Sequence, residues 1–187
     1  MQIILYPTDT LYGLGVDATD PKAVLRLKEL KGRDDRKPIS IIVSDIKMME
    51  RYAEITPLAR KLTERFLPGK LTLVLNAKNL PDEITAGTGT VGVRIPNHPQ
   101  ALALVRELGK PLTATSANIS GMPSASTVAD ILAQFGDKSV LIYQNKDIPS
   151  SLPVSEPSTV VDARGEAPII IREGAVKADV IRNAQDS

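Results

Sequence analysis

Apolar and polar positions alternate in blocks along the chain. Ile3 to Tyr6 form a short apolar run that stops at Pro7, the pattern of a buried strand. Asp20-Pro21 then opens a helix, with Asp20 as its cap and Pro21 in the first turn. Val24, Leu25, Leu27 and Leu30 continue it to Lys31-Gly32. Ile39 to Val43 is rich in β-branched residues and predicts a strand. Pro57 opens a second helix, in which Leu58, Leu62, Phe66 and Leu67 recur at helical spacing; Pro68-Gly69 ends it. Strands follow at Leu71 to Leu75 and at Val91 to Ile95, the latter closed by Pro96. Pro99 to Leu108 predicts a helix stopped by Gly109, and Leu112 to Thr115 a short strand. Val128 to Phe135 reads as a helix and Val140 to Tyr143 as a strand. Strands at Thr159 to Val161 and Ile169 to Ile171 precede a short helix near Asp179 to Arg182.

Helices that alternate with buried strands predict an α/β fold. Several strand pairs have no helix between them, so the sheet is expected to be twisted and mixed rather than all parallel. Neither an internal repeat nor a domain break is evident, and one domain is expected over 1–187. Residues 144–157 differ from the rest. They hold three prolines and three serines with little periodicity, which predicts a flexible connection or a lid. Residues 183–187 read as a tail.

Composition narrows the chemistry. The 187 residues are 42% hydrophobic and 24% charged, enough to bury roughly 70% of the unfolded surface without staples. No run of about 18 apolar residues exists, so no membrane span is expected. The opening MQIILYPTDT lacks a charged n-region, so no signal peptide is expected either. Cysteine is absent, which removes thiolate catalysis and thiolate metal sites and fits a reducing, cytoplasmic setting. A single histidine, His98, lies between Asn97 and Pro99 in a helix-entry turn and reads as structural. The net charge of +1, from 23 basic and 22 acidic residues, gives no reason to expect a general polyanion binder. Aromatics are only 3% and Trp is absent, which argues against a base-stacking platform.

Two motifs carry nothing. Gly87-Thr-Gly-Thr-Val-Gly92 matches a dinucleotide fingerprint, but the chain continues as a strand where that motif needs a helix. Asn118-Ile-Ser120 matches a glycosylation acceptor without a secretory signal.

Three polar clusters do point to chemistry, because each ends an apolar strand, where ligands of open α/β sheets bind. The first is Pro7-Thr-Asp-Thr-Leu-Tyr-Gly13. The second, Lys28 to Lys37, packs five basic and three acidic residues around the bend at Gly32; Lys31 and Arg33 flank that bend and could grip a phosphate or carboxylate. The third runs from Thr113 to Gly121 and on through Pro123, Ser124, Ser126 and Thr127, a string of small donors beside which backbone amides can approach an anion. Arg94 and Arg172 each sit on an otherwise apolar strand and need a partner there, an internal carboxylate such as Asp162 or an anionic ligand. As isolated patterns, the first two clusters read as a capped turn and a solvated helix end before they read as binding sites.

In their order, these clusters resemble the YrdC/TsaC family, the threonylcarbamoyl-AMP synthases. The matching segments are YPTDTLYGLG at 6–15, Lys31-Gly-Arg33 with Lys37-Pro38, Pro68-Gly69, VGVRIP at 91–96, SANISG at 116–121, STVVD at 158–162 and Arg172-Glu-Gly174. The resemblance implies a YrdC-like twisted sheet around a large concave basic cavity. It implies formation of threonylcarbamoyl-AMP and pyrophosphate from L-threonine, bicarbonate and ATP, with Mg²⁺ accompanying the ATP. A separate complex would pass the threonylcarbamoyl group to a tRNA adenosine beside the anticodon. It further implies that Thr10 belongs to the threonine site, that Lys31 and Arg33 face the nucleotide phosphates with Lys37 close by, and that Thr90 touches ATP. Arg94 would clamp the threonine carboxylate and Ser158 would contact threonine. Ser116 and Asn118 would hold phosphate or Mg²⁺ with Ser124 nearby, and Arg172 would meet the nucleotide. No resident metal site is implied.

The family usually carries a helix ahead of the first strand, whereas this chain opens almost on the strand, so one wall is expected to be thinner. Several relatives carry other residues at Lys37 and Ile42. The extra C-terminal domain of longer relatives is not expected here, so 144–157 is expected to act alone as a lid. Two other readings stand beside the synthase: a paralogue with another carbamoyl or adenylate chemistry, and a non-catalytic RNA-binding or ribosome-associated protein.

Overall fold

Helix ends in this chain are marked by side chains that satisfy orphan backbone groups, and these marks set where the strands between them begin. The computed structural model describes residues 2–144 and 147–184. Helix α1, Pro21–Lys31, starts where the Asp20 carboxylate accepts from the amides of Lys22 and Ala23, and stops at Gly32, whose φ of 58° only glycine adopts without strain. Thr56 caps α3, Pro57–Phe66, through the Ala59 amide, and Thr127 caps α6, Val128–Phe135, through the Asp130 amide. Helix α5 spans Pro99–Leu108 and ends on left-handed Gly109. Each side-chain cap is worth about 1 kcal/mol.

The strands are β1 (Ile3–Tyr6), β2 (Gly13–Gly15), β3 (Ser40–Ile42), β4 (Leu71–Asn76), β5 (Thr90–Arg94), β6 (Leu112–Ser116), β7 (Ile142–Gln144), β8 (Thr159–Asp162) and β9 (Ile169–Arg172). They form one sheet of the described residues in the order β7-β1-β2-β6-β3-β5-β4-β8-β9. Its pairing is mixed, as the missing crossover helices predict: β3–β5 and β4–β8 are parallel, while β4–β5 and β3–β6 are antiparallel. Alternation along the strands sorts the two faces. Leu71, Leu73, Leu75, Val91 and Val93 are buried in the core with Leu27, Met49 and Leu62, while Thr72 and Arg94, on the intervening positions, face a cavity.

The pattern of apolar residues does not announce three elements. Helix α2, Ile46–Tyr52, is held by the Asp45 cap rather than by a long apolar stripe. Helix α4, Asp82–Thr85, has only four residues. Strand β2 lies inside the first polar cluster, and its glycines are required by packing. A Cβ at Gly13 would sit 2.6 Å from Tyr6 Cζ, and one at Gly15 would sit 2.6 Å from Leu112 Cδ2. The strand expected from Val140 begins instead at Ile142, after a 3-10 turn over Gly136–Leu141. Pairing explains the later start, because Ile142 lies opposite Ile3, the first residue of β1.

The segment expected as a loose connection is tied down where it is described. Ser150 O accepts from the Val128 amide at 3.0 Å, and the Leu152 amide donates to Ser126 O at 2.8 Å. Residues 145 and 146 of that segment, and 185–187 of the expected tail, lie outside the described residues. The GxGxxG run over 87–92 is a turn leading into β5, in keeping with its rejection as a dinucleotide motif. Among the described residues, no helix is long and apolar enough to cross a membrane.

Candidate active site

Sheet register gathers the polar strand positions onto one face. Ile42 lies opposite Arg94, Thr72 opposite Val160, and Val160 opposite Arg172, so β3, β5, β4, β8 and β9 contribute to a common floor. Above this floor is a cavity of about 550 Å³. Its walls are the turn after β1, the bend after α1, the end of β6 with the Ser124–Ser126 loop, and residues 152–155. Among the described residues, the lining contains Arg33, Arg94 and Arg172 and no Asp or Glu. A wall of small hydroxyls and guanidinium groups suits an anionic, polyoxygenated ligand.

The cluster residues divide into those that face this space and those that support it. Thr10, Arg33, Arg94, Ser116, Ser124, Ser158 and Arg172 line the cavity. Arg33 Nη2 donates to Pro38 O at 2.7 Å, while its Nε is buried without a partner. Arg94 is almost fully buried: Nε donates to Gly69 O at 2.8 Å, Nη1 to Thr10 Oγ1 at 2.8 Å and Nη2 to Asp9 Oδ1 at 2.6 Å. Burial holds the pKa of its guanidinium below the ordinary arginine value, and Asp9 opposes that effect. Arg172 Nη2 donates to Ser158 O at 2.7 Å, and Ser158 Oγ shares a hydrogen bond with Thr72 Oγ1 at 2.8 Å.

Lys31 stands behind the wall rather than on it. Only 2% of the residue is exposed, and Nζ donates to the carbonyls of Ser116 and Asn118. Ser120 N returns a bond to Lys31 O at 2.9 Å. Burial pushes the Lys31 ammonium down to about 7, and the Arg33 guanidinium adds to the push. Asn118 is likewise internal: Oδ1 accepts from the Ser116 hydroxyl, and Nδ2 donates to the carbonyls of Ile119 and Met122. The end of α1 and the 116–121 loop are thus one hydrogen-bonded unit that presents Arg33 and Ser116. Lys37 is exposed and outside the lining, and Thr90, bonded to Thr88 at 2.9 Å, is outside it as well.

Ser40, Thr72 and Tyr12 also line the space. Their signal in the sequence is a lone polar position within an apolar strand, or an aromatic in a polar turn. Gly92 shapes the floor, since a Cβ there would meet Ser40 Oγ at 2.4 Å and Thr72 Cγ2 at 3.1 Å. Tyr12 OH donates to Pro149 O and so holds segment 147–157 against the site. Among the described residues, no group of three or more His, Asp or Glu is placed to hold a metal ion. Ser116 is the residue of the 116–121 loop that lines the cavity, and its neutral hydroxyl is an oxygen suited to a cation carried in by phosphates.

Comparisons with known proteins agree with this architecture. Threonylcarbamoyl-AMP synthase of Bacillus subtilis is 36% identical over 183 residues, 96% of this chain and 52% of that protein. A putative threonylcarbamoyl-AMP synthase of Methanocaldococcus jannaschii is 40% identical over 178 residues, 94% of this chain and 81% of that protein. Among solved structures, Pyrococcus abyssi Sua5 complexed with L-threonine superposes with a TM-score of 0.90 at 36% identity, over 98% of this chain and 53% of that one. Escherichia coli YciO gives 0.83 at 26% identity, over 96% and 86%. The chain therefore spans about half the length of the B. subtilis and P. abyssi relatives. The family described as "Telomere recombination", which groups Sua5, YciO and YrdC, matches residues 2–174, and with that extent of agreement in sequence and fold the chain belongs to the Sua5/YciO/YrdC family.

Proposed function

We propose that the protein is an L-threonylcarbamoyladenylate synthase, a nucleotidyltransferase that converts L-threonine, bicarbonate and ATP to threonylcarbamoyl-AMP and pyrophosphate. The observation that carries this reading is the convergence of Arg33, Arg94, Arg172, Ser116 and Ser158 on one cavity whose described lining holds no carboxylate. ATP and threonine both bring anionic oxygens, and those side chains are donors to them. The B. subtilis relative bears the synthase name, and the P. abyssi relative binds L-threonine.

In this reading, Thr10, Arg94 and Ser158 hold threonine, with Arg94 set in place by Asp9 and Gly69. Arg33, Ser116, Ser124 and Arg172 hold the nucleotide, and Lys37 and Thr90 reach it only from outside the present lining. Lys31 and Asn118 act through the main chain of the 116–121 loop. Threonine's amine nitrogen bonds to the bicarbonate carbon with loss of hydroxide, and a proton leaves to solvent. A carbamate oxygen then bonds to the α-phosphorus as the bond to pyrophosphate breaks. The chain's contribution is alignment and charge neutralisation, so no histidine or cysteine is needed. The Ser116 hydroxyl would help to hold a Mg²⁺ ion carried by ATP, and that ion would supply further neutralisation of phosphate charge. A separate tRNA-modification complex in the cytoplasm consumes the adenylate.

Incubation with ATP, Mg²⁺, L-threonine and bicarbonate, followed by mass spectrometry of the nucleotides, tests the proposal. Threonylcarbamoyl-AMP that forms only when threonine and bicarbonate are both present is the expected result. ATP binding without the adduct points to a paralogue with other chemistry, and salt-dependent RNA binding without turnover points to an RNA-binding protein.

A further inference from the structure

Arg94 is steered by Asp9, and Asp9 is only half satisfied. Its Oδ1 accepts from Arg94 Nη2 at 2.6 Å and from the Asn97 amide at 3.2 Å, whereas Oδ2 is buried without a partner. The ion pair is well shielded, its side chains being 8% and 12% exposed. The terminal torsion of an aspartate is broad, so a carboxylate held by one oxygen can turn, and each turn moves the acceptor on which Nη2 rests. A donor on Oδ2 would fix the carboxylate plane and remove the cost of a buried, unfilled acceptor.

His98 is placed to supply that donor. With Asp9 and Lys70 it lines a side chamber of about 330 Å³ that adjoins the main cavity, large enough for ordered water. His98 is the N-cap residue of α5, yet its side chain bonds none of the helix amides, and Nδ1 is buried without a partner. The amide of the preceding residue, Asn97, already reaches Asp9, so the imidazole starts beside this carboxylate. Burial holds the His98 imidazolium below its ordinary range, against the pull of Asp9. A neutral ring carries one N–H, and a carboxylate on the Nδ1 side selects the Nδ1–H tautomer. Lys70, the other cation of the chamber, has its Nζ 3.4 Å from Ser155 Oγ.

We propose that His98 is a positioning residue: its Nδ1–H, through a bridging water of the side chamber, completes Asp9 Oδ2 and so fixes the carboxylate that aims Arg94 into the cavity. The consequence for threonine rests on the synthase reading and deepens it, whereas the ordering of Arg94 does not depend on that reading. His98 touches no substrate in this role. It acts on the second neighbour, from imidazole to carboxylate to guanidinium, and a small misaim of such a clamp is costly for catalysis.

Two variants separate positioning from capping. Serine and asparagine are both good helix caps. His98→Ser has no N–H to offer Asp9, while His98→Asn keeps an amide donor in the place of Nδ1. Both should hold the thermal midpoint within a few degrees of wild type. Hydrogen exchange of the Arg94 Nε–H is followed by ¹⁵N NMR, with the resonance assigned by its loss in Arg94→Lys. Exchange should be about tenfold faster in His98→Ser and within about threefold of wild type in His98→Asn. The threonine KM should rise about tenfold in His98→Ser, with the ATP KM within about twofold, and His98→Asn should restore it. Lys70→Met should leave the Arg94 exchange as in wild type. Unchanged exchange in His98→Ser, equal acceleration in the serine and asparagine variants, or acceleration in Lys70→Met instead overturns the assignment. Faster exchange in His98→Ser, rescued in His98→Asn, without threonylcarbamoyl-AMP from wild type would sink the synthase reading and leave the positioning role standing. Turnover by wild type, with exchange and threonine KM unaltered in His98→Ser, would do the reverse.

Discussion

Replacing Lys31 with methionine removes a buried ammonium that ties α1 to the 116–121 loop. Wild-type Lys31 falls from the ordinary lysine value of 10.5 to about 7, first through burial and then through Arg33. At about 1.4 kcal/mol per pH unit, that fall represents a cost of about 5 kcal/mol while both states hold the proton. Below pH 7 the cost is fully present. Between 7 and 10.5 the unfolded chain binds the proton and the folded chain does not, so wild-type stability rises with pH. Methionine has no proton to lose. Its penalty is two main-chain acceptors, those of Ser116 and Asn118, left without their donor, at ~1–3 kcal/mol each. The substitution should therefore be nearly neutral or stabilising at about pH 6 and destabilising by a few kcal/mol at about pH 9.5. The difference between the two conditions should be about 3 kcal/mol. Urea unfolding at both pH values reads this directly, with m checked for constancy. Turnover should fall ~100-fold at both, because the loop that presents Ser116 loses its anchor. An identical stability change at the two pH values would refute the reasoning about the buried charge, and full activity would refute the anchoring role.

Arg33→Ala and Ser116→Ala should each lower kcat/KM by ~100-fold or more while leaving the thermal midpoint within a few degrees; unfolding of both, or full activity in both, would defeat their placement. Gly92→Ala places a methyl against Ser40 Oγ and Thr72 Cγ2, so calorimetry should find stability lower by ~1–3 kcal/mol and ligand affinity weakened; a variant with unchanged affinity would mean that ligands do not use this floor. Tyr12→Phe frees the Pro149 carbonyl, and limited proteolysis should then cut within 147–157 faster than in wild type, with a stability loss of about 1 kcal/mol.

Most elements were legible because their causes are local. Asp20, Thr56 and Thr127 cap helices through amides two or three residues away, and Gly32 and Gly109 end helices through their own φ. The elements that escaped notice have causes elsewhere in the chain. Strand β2 exists because Tyr6 lies over Gly13 and Gly15, and the late start of β7 follows from where β1 begins. The site shows the same division. Arg94 and Arg172 stood out in the sequence as cations on apolar strands and Arg33 as one flank of the bend at Gly32, and all three line the cavity. Lys31 stood out as the other flank of that bend, yet its ammonium reaches two carbonyls some 85 residues along the chain.

The sequence by itself determined most of the helices and strands, that the sheet is mixed, and which side chains are polar where the pattern demands apolar ones. Those features depend on periodicity, capping and glycine, which act within a turn or two. Only the tertiary structure decided which of the charged groups face the cavity and which brace it. It also decided that Thr72 and Gly92 make the floor and that 147–157 is pinned over the site. Those outcomes depend on strand order and register, which bring together residues whose local sequences carry no record of one another.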